Sequence, residues 1–140
     1  MNVCCARKSA THLTGLGRRN MPNYSNSFPP FAIYPGDSVS VFNNENPTPP
    51  QASQQVAIGN VYGEDDVGVS AIITYASAPT SVQIDIQMAD VDADASYITV
   101  ATTSQTGGDQ LNVNTARHKF VRARKVAQSG GGAVTVTIAR

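Results

Sequence analysis

The sequence predicts an all-β protein: an antiparallel two-sheet β-sandwich or jelly roll with an extended N-terminal arm. Three observations favour this fold class. Short runs rich in Val, Ile and Thr follow one another from Phe31 onward, turn residues separate them about every ten residues, and no segment has the apolar spacing of an amphipathic helix. The chain of 140 residues has the length of one domain. We therefore divide it into an arm, residues 1–30, and a β-sandwich domain, residues 31–140.

The predicted arm has neither the helical nor the strand period, and its last stretch, MPNYSNSFPP, favours turns. Its apolar side chains are too few to offset the entropy that is lost when such a segment becomes ordered. We therefore expect a partner surface to order it. Met21 leaves a second start open, in which case residues 1–20 would not be translated.

The first half of the sandwich domain contains four predicted strands. FAIY and SVSVF flank the turn PGD, and the second run places Val39 and Val41 on one face. A polar, proline-rich loop, NNENPTPPQASQ, comes next. QVAIGNVY and VGVSAIITYAS then flank the acidic turn GEDD.

The clearest strand signal is SVQIDIQM. Apolar and polar residues alternate in it, with Val82, Ile84, Ile86 and Met88 on one side and Ser81, Gln83, Asp85 and Gln87 on the other. Strict alternation predicts a strand with one buried face and one solvated face.

The C-terminal half contains four more predicted strands. SYITVATT follows the turn ADVDADA, and QLNVN follows the turn SQTGGD. KFVRARKV is expected to point Val121 and Ala123 inward and Arg122 and Arg124 outward. QSGGG predicts a hairpin turn, because glycine adopts positive φ angles, and it leads into the last strand, AVTVTIAR.

The charges are segregated along the chain although ten Lys and Arg balance ten Asp and Glu. Residues 1–20 contain Arg7, Lys8, Arg18 and Arg19 and no acid, residues 21–116 contain every acid and no Lys or Arg, and the other basic residues lie in 117–140. Local potential steers association more than net charge does, so oppositely charged surfaces of two copies are expected to attract.

The motifs that signal metal binding are incomplete. DVDADAS places Asp90, Asp92 and Asp94 at the spacing of a calcium loop, but the required Gly and Glu are replaced by Ala95 and Ala101. The two cysteines are adjacent, which gives no CxxC spacing. We expect no metal and no cofactor, and we expect the aspartates to face water or a basic neighbour.

Catalytic signals are equally weak. The serines lack a GxSxG elbow, and the two histidines, His12 and His118, lie beside no nucleophile motif. GGG precedes a predicted strand, whereas a phosphate loop precedes a helix. We expect a protein that is not an enzyme and has no catalytic residues.

The basic run from Arg117 to Lys125 has three interpretations: a solvated strand face, a nucleic-acid site, or a protein interface in which Arg122 and Arg124 meet acids of a neighbouring subunit. Nucleic acid is not expected, because Phe120 is the single ring in the run and the rest of the domain is acidic. We favour a strand pair presented to another polypeptide, since Arg pairs carboxylates bidentately. The predicted protein-interface residues are Arg7, Lys8, Arg18, Arg19, Lys119, Arg122, Arg124 and Lys125.

The segment from Ser81 to Arg140 resembles a known group of proteins. Its VQIDIQ strand, DVDADASY turn, Gly-Gly-Asp turn, FVRARKV strand and SGGGAVTVTI ending are similar to small β-sandwich virion structural proteins of tailed bacteriophages, of the capsid decoration or cement type. Galactose-binding-like sandwiches have a similar layout. An alternative is therefore a tail- or fibre-associated binding module that recognises a host-surface carbohydrate, although the chain has no Trp and few Tyr for a sugar platform.

The resemblance implies a non-enzymatic protein on the capsid exterior of a virion, made in the host cytoplasm. Its expected partners are the major capsid protein, whose subunits it would bridge and stabilise, and other copies of itself. No apolar run approaches the roughly 20 residues that cross a bilayer, so no membrane partner is expected.

Overall fold

The computed structural model of the chain describes residues 32–59, 68–113 and 118–140. These residues form ten β-strands in two sheets, which confirms the predicted all-β two-sheet sandwich. The predicted arm, the acidic turn GEDD and Arg117 lie outside the described residues.

The two sheets contain six and four strands. The strands are β1 (Ala32–Ile33), β2 (Ser38–Glu45), β3 (Gln51–Ala52), β4 (Val56–Ile58), β5 (Val69–Tyr75), β6 (Ser81–Ala89), β7 (Ile98–Thr103), β8 (Asp109–Val113), β9 (Phe120–Ser129) and β10 (Val134–Ala139). The six-stranded sheet has the order β1-β4-β9-β6-β7, with β3 also paired to β9, and the four-stranded sheet has the order β2-β10-β5-β8. Neighbouring strands are antiparallel except β1 and β4, which are parallel.

The hydrophobic core lies between the sheets, because alternate side chains of each strand point to the same face. On β10, Val134, Val136 and Ile138 are fully buried, as their alternation with threonine predicts. Val121 and Ala123 of β9 are fully buried as well. Burying one such aliphatic side chain contributes about 1.5–3 kcal/mol, so this layer is what holds the two sheets together.

The outer face of β6 differs from the prediction. Ser81 and Gln83 are exposed, but Asp85 and Gln87 are only 8% and 4% exposed. The predicted solvated face is therefore wrong for the second half of the strand. β6 lies between β7 and β9, so Asp85 and Gln87 are flanked by threonines of β7 on one side and by arginines of β9 on the other.

The glycine turn after β9 is not a hairpin, and that prediction is wrong. β9 pairs with β3, β4 and β6 in one sheet, whereas β10 pairs with β2 and β5 in the other. Gly130 and Gly131 do have the predicted positive φ angles, 66° and 76°. The three glycines thus carry the chain from one sheet to the other.

The basic strand is consequently not an edge strand. β9 has neighbours on both sides, and so does β10. Their backbone groups are used within the sheets, so β9 can contact a partner only through its side chains. Among the described residues no helix combines the length and the apolarity that crossing a bilayer requires.

Candidate protein-contact face of the basic strand

The structure places the predicted basic residues of the C-terminal segment in three different environments. Arg122 and Arg124 lie on the outer face of the six-stranded sheet, and Lys119 is exposed just before β9 begins. Lys125 is only 1% exposed and points inward. The arm residues Arg7, Lys8, Arg18 and Arg19 lie outside the described residues.

The strand register arranges the outer face in two rows. Arg122 is opposite Gln87 of β6, which is opposite Thr99 of β7. Arg124 is opposite Asp85, which is opposite Thr102. Directly opposite residues of an antiparallel pair share a face and lie close enough to interact. We call these six residues, together with Tyr97 and Asp94, the outer polar face.

Arg122 connects the sheet to the acidic turn between β6 and β7. Its Nε donates a hydrogen bond to Gln87 Oε1 at 3.0 Å, and its Nη1 donates to Asp94 Oδ1 at 2.5 Å. The guanidinium also lies 3.8 Å from the centre of the Tyr97 ring. A cation above an aromatic ring contributes about 0.5–1 kcal/mol, comparable with the upper range for an exposed ion pair.

The acid that pairs with Arg122 therefore belongs to the same chain. That Arg122 also meets acids of a neighbouring subunit stays a prediction, and Gln87, Asp94 and Tyr97 of its own chain already contact its guanidinium. Its side chain is 11% exposed, so a partner would meet the face through the residues around it.

The three aspartates of the turn point to different partners. Asp92 accepts hydrogen bonds from Tyr97 Oη at 3.0 Å and from Gln55 Nε2 at 2.7 Å. Asp90 lies 3.3 Å from His118 Nδ1, and Asp94 pairs with Arg122 as described. The expectation that these acids face a basic neighbour is confirmed for Asp94. Across the described ranges, no three His, Cys, Asp or Glu side chains converge as a metal site would require.

Tyr97 is held as a hydrogen-bond donor by its environment. The residue is 9% exposed, and burial is the main cause that raises the pKa of its phenol. The hydrogen bond to Asp92 raises the pKa further, since it favours the protonated form. The turn is thereby tied to the sheet by a phenol and a guanidinium that stack on each other.

Asp85 is a buried carboxylate that neutral donors satisfy. Thr102 Oγ1 donates to it at 2.8 Å, Thr99 Oγ1 at 3.4 Å and Gln83 Nε2 at 3.3 Å. Within the described part of the chain, Arg122–Asp94 is the one ion pair between an arginine or lysine and an acid, so Arg124 pairs with neither Asp85 nor another described acid. Arg124 is thus a half-buried cation on this face that an outside carboxylate can reach.

Lys125 belongs to a different site, at one end of the sandwich. Its Nζ donates to Asn46 Oδ1 at 2.8 Å, and burial lowers the pKa of its ammonium. It lines an open pocket of about 310 Å³. The other lining residues are Asn46, Pro47, Thr48, Pro49, Gln128, Gly130 and Gly131. Lys125 is therefore not part of the outer polar face.

Sequence reasoning missed the residues that organise both sites. Tyr97 was visible only as an aromatic residue after an acidic turn, and nothing in the local pattern pairs it with Arg122. Asn46 lies in the proline-rich loop and Gln128 at the start of the glycine turn, and neither pattern indicates a binding site. Chemically, the outer polar face offers a set of hydrogen-bonding groups with a half-buried arginine, Arg124, at one end of a row.

Comparison with known proteins gives one solved structure with a similar fold. Neither protein-family models nor curated proteins match the chain. The crystal structure of the SPBc2 prophage-derived protein YomS superimposes with a TM-score of 0.51 at 19% sequence identity, over 76% of this chain and 94% of that one. At this identity the likeness shows a shared sandwich fold.

Proposed function

We propose that the chain is a non-enzymatic structural protein of a bacteriophage virion, and specifically a capsid decoration or cement protein that bridges and stabilises major capsid subunits. The observation that carries this proposal is the likeness to a prophage-derived protein over 94% of that protein's length. It agrees with the resemblance between the segment from Ser81 to Arg140 and small sandwich proteins of virions.

The described surface has features that suit contact with another polypeptide. The hairpin of β6 and β7 exposes two apolar side chains at its tip, Val91 at 61% and Ile98 at 54%. Arg124 and Lys119 lie on or beside the outer polar face. Apolar residues next to arginine are typical of protein interfaces.

The predicted arm supplies the second half of the contact. Its four basic residues are separated in sequence from the acids of the sandwich domain. A segment that becomes ordered on binding covers a wide surface at modest affinity per unit area, and many copies on one particle turn weak contacts into lasting attachment. A decoration protein works by this combination of an arm and a rigid body.

Purified particles of the phage that encodes the chain test the proposal. Quantitative mass spectrometry is expected to give a copy number comparable with that of the major capsid protein. Detection of a few copies per particle would move the protein to the tail or fibre, and its absence from particles would refute a virion role.

A binding assay then tests the contact residues. Full-length protein is added to particles that lack it and then co-sedimented. We expect the wild type to bind and to raise the temperature at which the particle releases DNA. A variant with Arg7, Lys8, Arg18 and Arg19 changed to Ser, and a second with Lys119→Gln and Arg124→Gln, should each bind at least about tenfold more weakly, since both lose positive charges from the proposed contact. Gln105→Ser, in the exposed turn before β8, is the matched control and should bind as the wild type.

The carbohydrate alternative has less support from the described surface. Tyr97 is covered by Arg122, and Tyr34, at 47% exposure, is the one largely exposed aromatic side chain among the described residues. Sugar sites present exposed aromatic platforms.

A further inference from the structure

The pocket beside Lys125 is built by two connections at one end of the sandwich. The loop after β2 supplies Asn46 to Pro49, and the start of the crossover from β9 to β10 supplies Gly130 and Gly131. Lys125 lines the pocket, and its side chain is 1% exposed.

A β-bulge in β9 creates the site. Ile84 is opposite Lys125 and Gln83 is opposite Ala127, so Val126 is an extra residue in β9. After the bulge, Gln128 is opposite the inward-facing Val82. Lys125 and Gln128 therefore both point into the sandwich although they are three positions apart. Bulges commonly re-aim side chains next to functional sites.

The two polar groups have unused hydrogen-bonding capacity. The Lys125 ammonium has three donors, and Asn46 is its one hydrogen-bond acceptor among the described residues. No described carboxylate forms an ion pair with it. Gln128 Nε2 donates to the carbonyl oxygens of Gly130 and Gly132, each at 3.0 Å, which orients the amide. Its Oε1 is buried and has no partner in the described part of the chain.

Buried groups of this kind call for a complementary ligand. A buried ammonium is costly unless an anion or several acceptors surround it, and a buried carbonyl oxygen is costly without a donor. The Lys125 ammonium needs hydrogen-bond acceptors, and a negatively charged acceptor stabilises it most. Gln128 Oε1 needs an N–H or O–H donor, and it would repel a carboxylate that approached it directly.

We propose that this pocket binds a carboxylate that has an N–H donor beside it, as at the C-terminal residue of a peptide or in a free N-acylated amino acid. A carboxylate oxygen accepts from Lys125 Nζ, and the neighbouring N–H donates to Gln128 Oε1. Asn46 positions the lysine, and the glycine carbonyls position the glutamine. Burial lowers the pKa of Lys125, and no described carboxylate is placed to offset this effect. This inference does not depend on the virion role.

Four small probes separate the two interactions. N-acetylglycine has both the carboxylate and the N–H, N-acetylsarcosine lacks the N–H, acetate has only the carboxylate, and N-acetylglycinamide lacks the carboxylate. In NMR titrations of the full-length ¹⁵N-labelled protein, we expect saturable shifts of the Gly130 and Gly131 amides with N-acetylglycine. Binding should be weaker with N-acetylsarcosine and acetate and undetectable with N-acetylglycinamide. Sodium chloride at equal ionic strength is the control for screening.

Variants assign the effect to the two side chains. Lys125→Met keeps most of the apolar part of the side chain, although it is shorter than lysine. It should weaken the binding of N-acetylglycine about tenfold or more, because a charge-assisted hydrogen bond is lost. Lys119→Met, at an exposed lysine, is the matched control and should bind as the wild type. Gln128→Leu should bind N-acetylglycine and N-acetylsarcosine equally well and should still bind acetate. This variant tests the proposal independently if Lys125→Met does not fold.

A peptide with a free C-terminus and the same peptide with a C-terminal amide distinguish the sources. Tighter binding of the free peptide than of N-acetylglycine supports a chain end as the ligand, and equal binding supports a small molecule. Absence of saturable shifts with every probe, or equal binding by the wild type and a folded Lys125→Met variant, would overturn the proposal.

Discussion

Arg122 joins two segments of the chain by three kinds of contact. It donates to Gln87 of the sheet, pairs with Asp94 of the turn and stacks on Tyr97. The ion pair alone contributes little, because Asp94 is 94% exposed and water screens it. The stacked pair with Tyr97 is buried, and it is this part of the arrangement that holds the turn against the sheet.

We predict that Tyr97 makes the free energy of unfolding fall as pH rises through the alkaline range. The pKa of Tyr97 is raised above its ordinary value of 10.0, mainly by burial. The folded protein therefore keeps the phenol proton at a pH where the unfolded chain has released it. The stability due to this difference is fully present below about pH 10 and is lost as pH rises toward the raised pKa.

Urea unfolding between neutral and strongly alkaline pH checks this. Tyr97→Phe should cost about 1 kcal/mol at pH 7, for the hydrogen bond to Asp92, and should then lose less stability than the wild type above pH 10. Tyr34→Phe, at a more exposed tyrosine, should follow the wild-type curve. Parallel curves for Tyr97→Phe and the wild type would contradict the argument. Tyr75 and Lys125 also have shifted pKa values, but both are present in each variant and cancel in the difference.

Sequence alternation predicts the orientation of single residues only where the strand is regular. Val121 and Ala123 point inward as predicted, because no irregularity precedes them. Lys125 continues the same alternation and points inward, whereas its charge led to the prediction of an interface residue. Gln128 then points inward because of the bulge at Val126, which depends on pairing with β6 and has no local signature.

At the level of elements, the glycine crossover is the connection most sensitive to substitution. Gly131 has a φ of 76°, and a Cβ there would lie 2.5 Å from the backbone Cα of Pro79. Both the backbone conformation and the lack of space therefore exclude a side chain.

We predict that Gly131→Ala lowers the free energy of unfolding by about 1–3 kcal/mol or more, the cost of a strained backbone to which the clash with Pro79 adds. Urea denaturation measures it. Gly107→Ala is the matched control, because nothing lies within 4 Å of its added Cβ, and it should unfold within about 0.5 kcal/mol of the wild type. Equal effects of the two changes would show that the crossover is less tightly packed than described.

The same crossover marks the limit of prediction for elements. The glycine run correctly indicated a turn with positive φ angles, since that requirement is local. The prediction of a hairpin was wrong, because the sheet that β10 joins is determined by its pairing with strands that are distant in sequence. β10 pairs with β2 and β5, whereas β9, which precedes it in sequence, pairs with strands of the other sheet. Likewise, the buried Asp85 and Gln87 follow from the position of β6 inside its sheet.

For the whole molecule, the division into arm and sandwich domain stays a prediction that truncation can test. Every residue of the buried hydrophobic cluster in the described ranges lies between Ile33 and Ile138. We expect a chain that lacks residues 2–30 to unfold cooperatively, with a melting temperature within about 4 °C of the full chain, because the core is retained. Calorimetry measures this. Loss of a cooperative transition would show that the arm is part of the core and would contradict the division into an arm and a sandwich domain.

The position of β10 has a consequence for biosynthesis. β10 is the last of the ten described strands, and it lies between β2 and β5 at the centre of the four-stranded sheet. Ser38 pairs with Ala139, so nearly the whole domain must leave the ribosome before that sheet can close. Until then β2 and β5 have no central partner, and their unpaired edges are open to association with other nascent chains. Association of nascent chains through these edges is therefore possible until β10 has left the ribosome and paired with both strands.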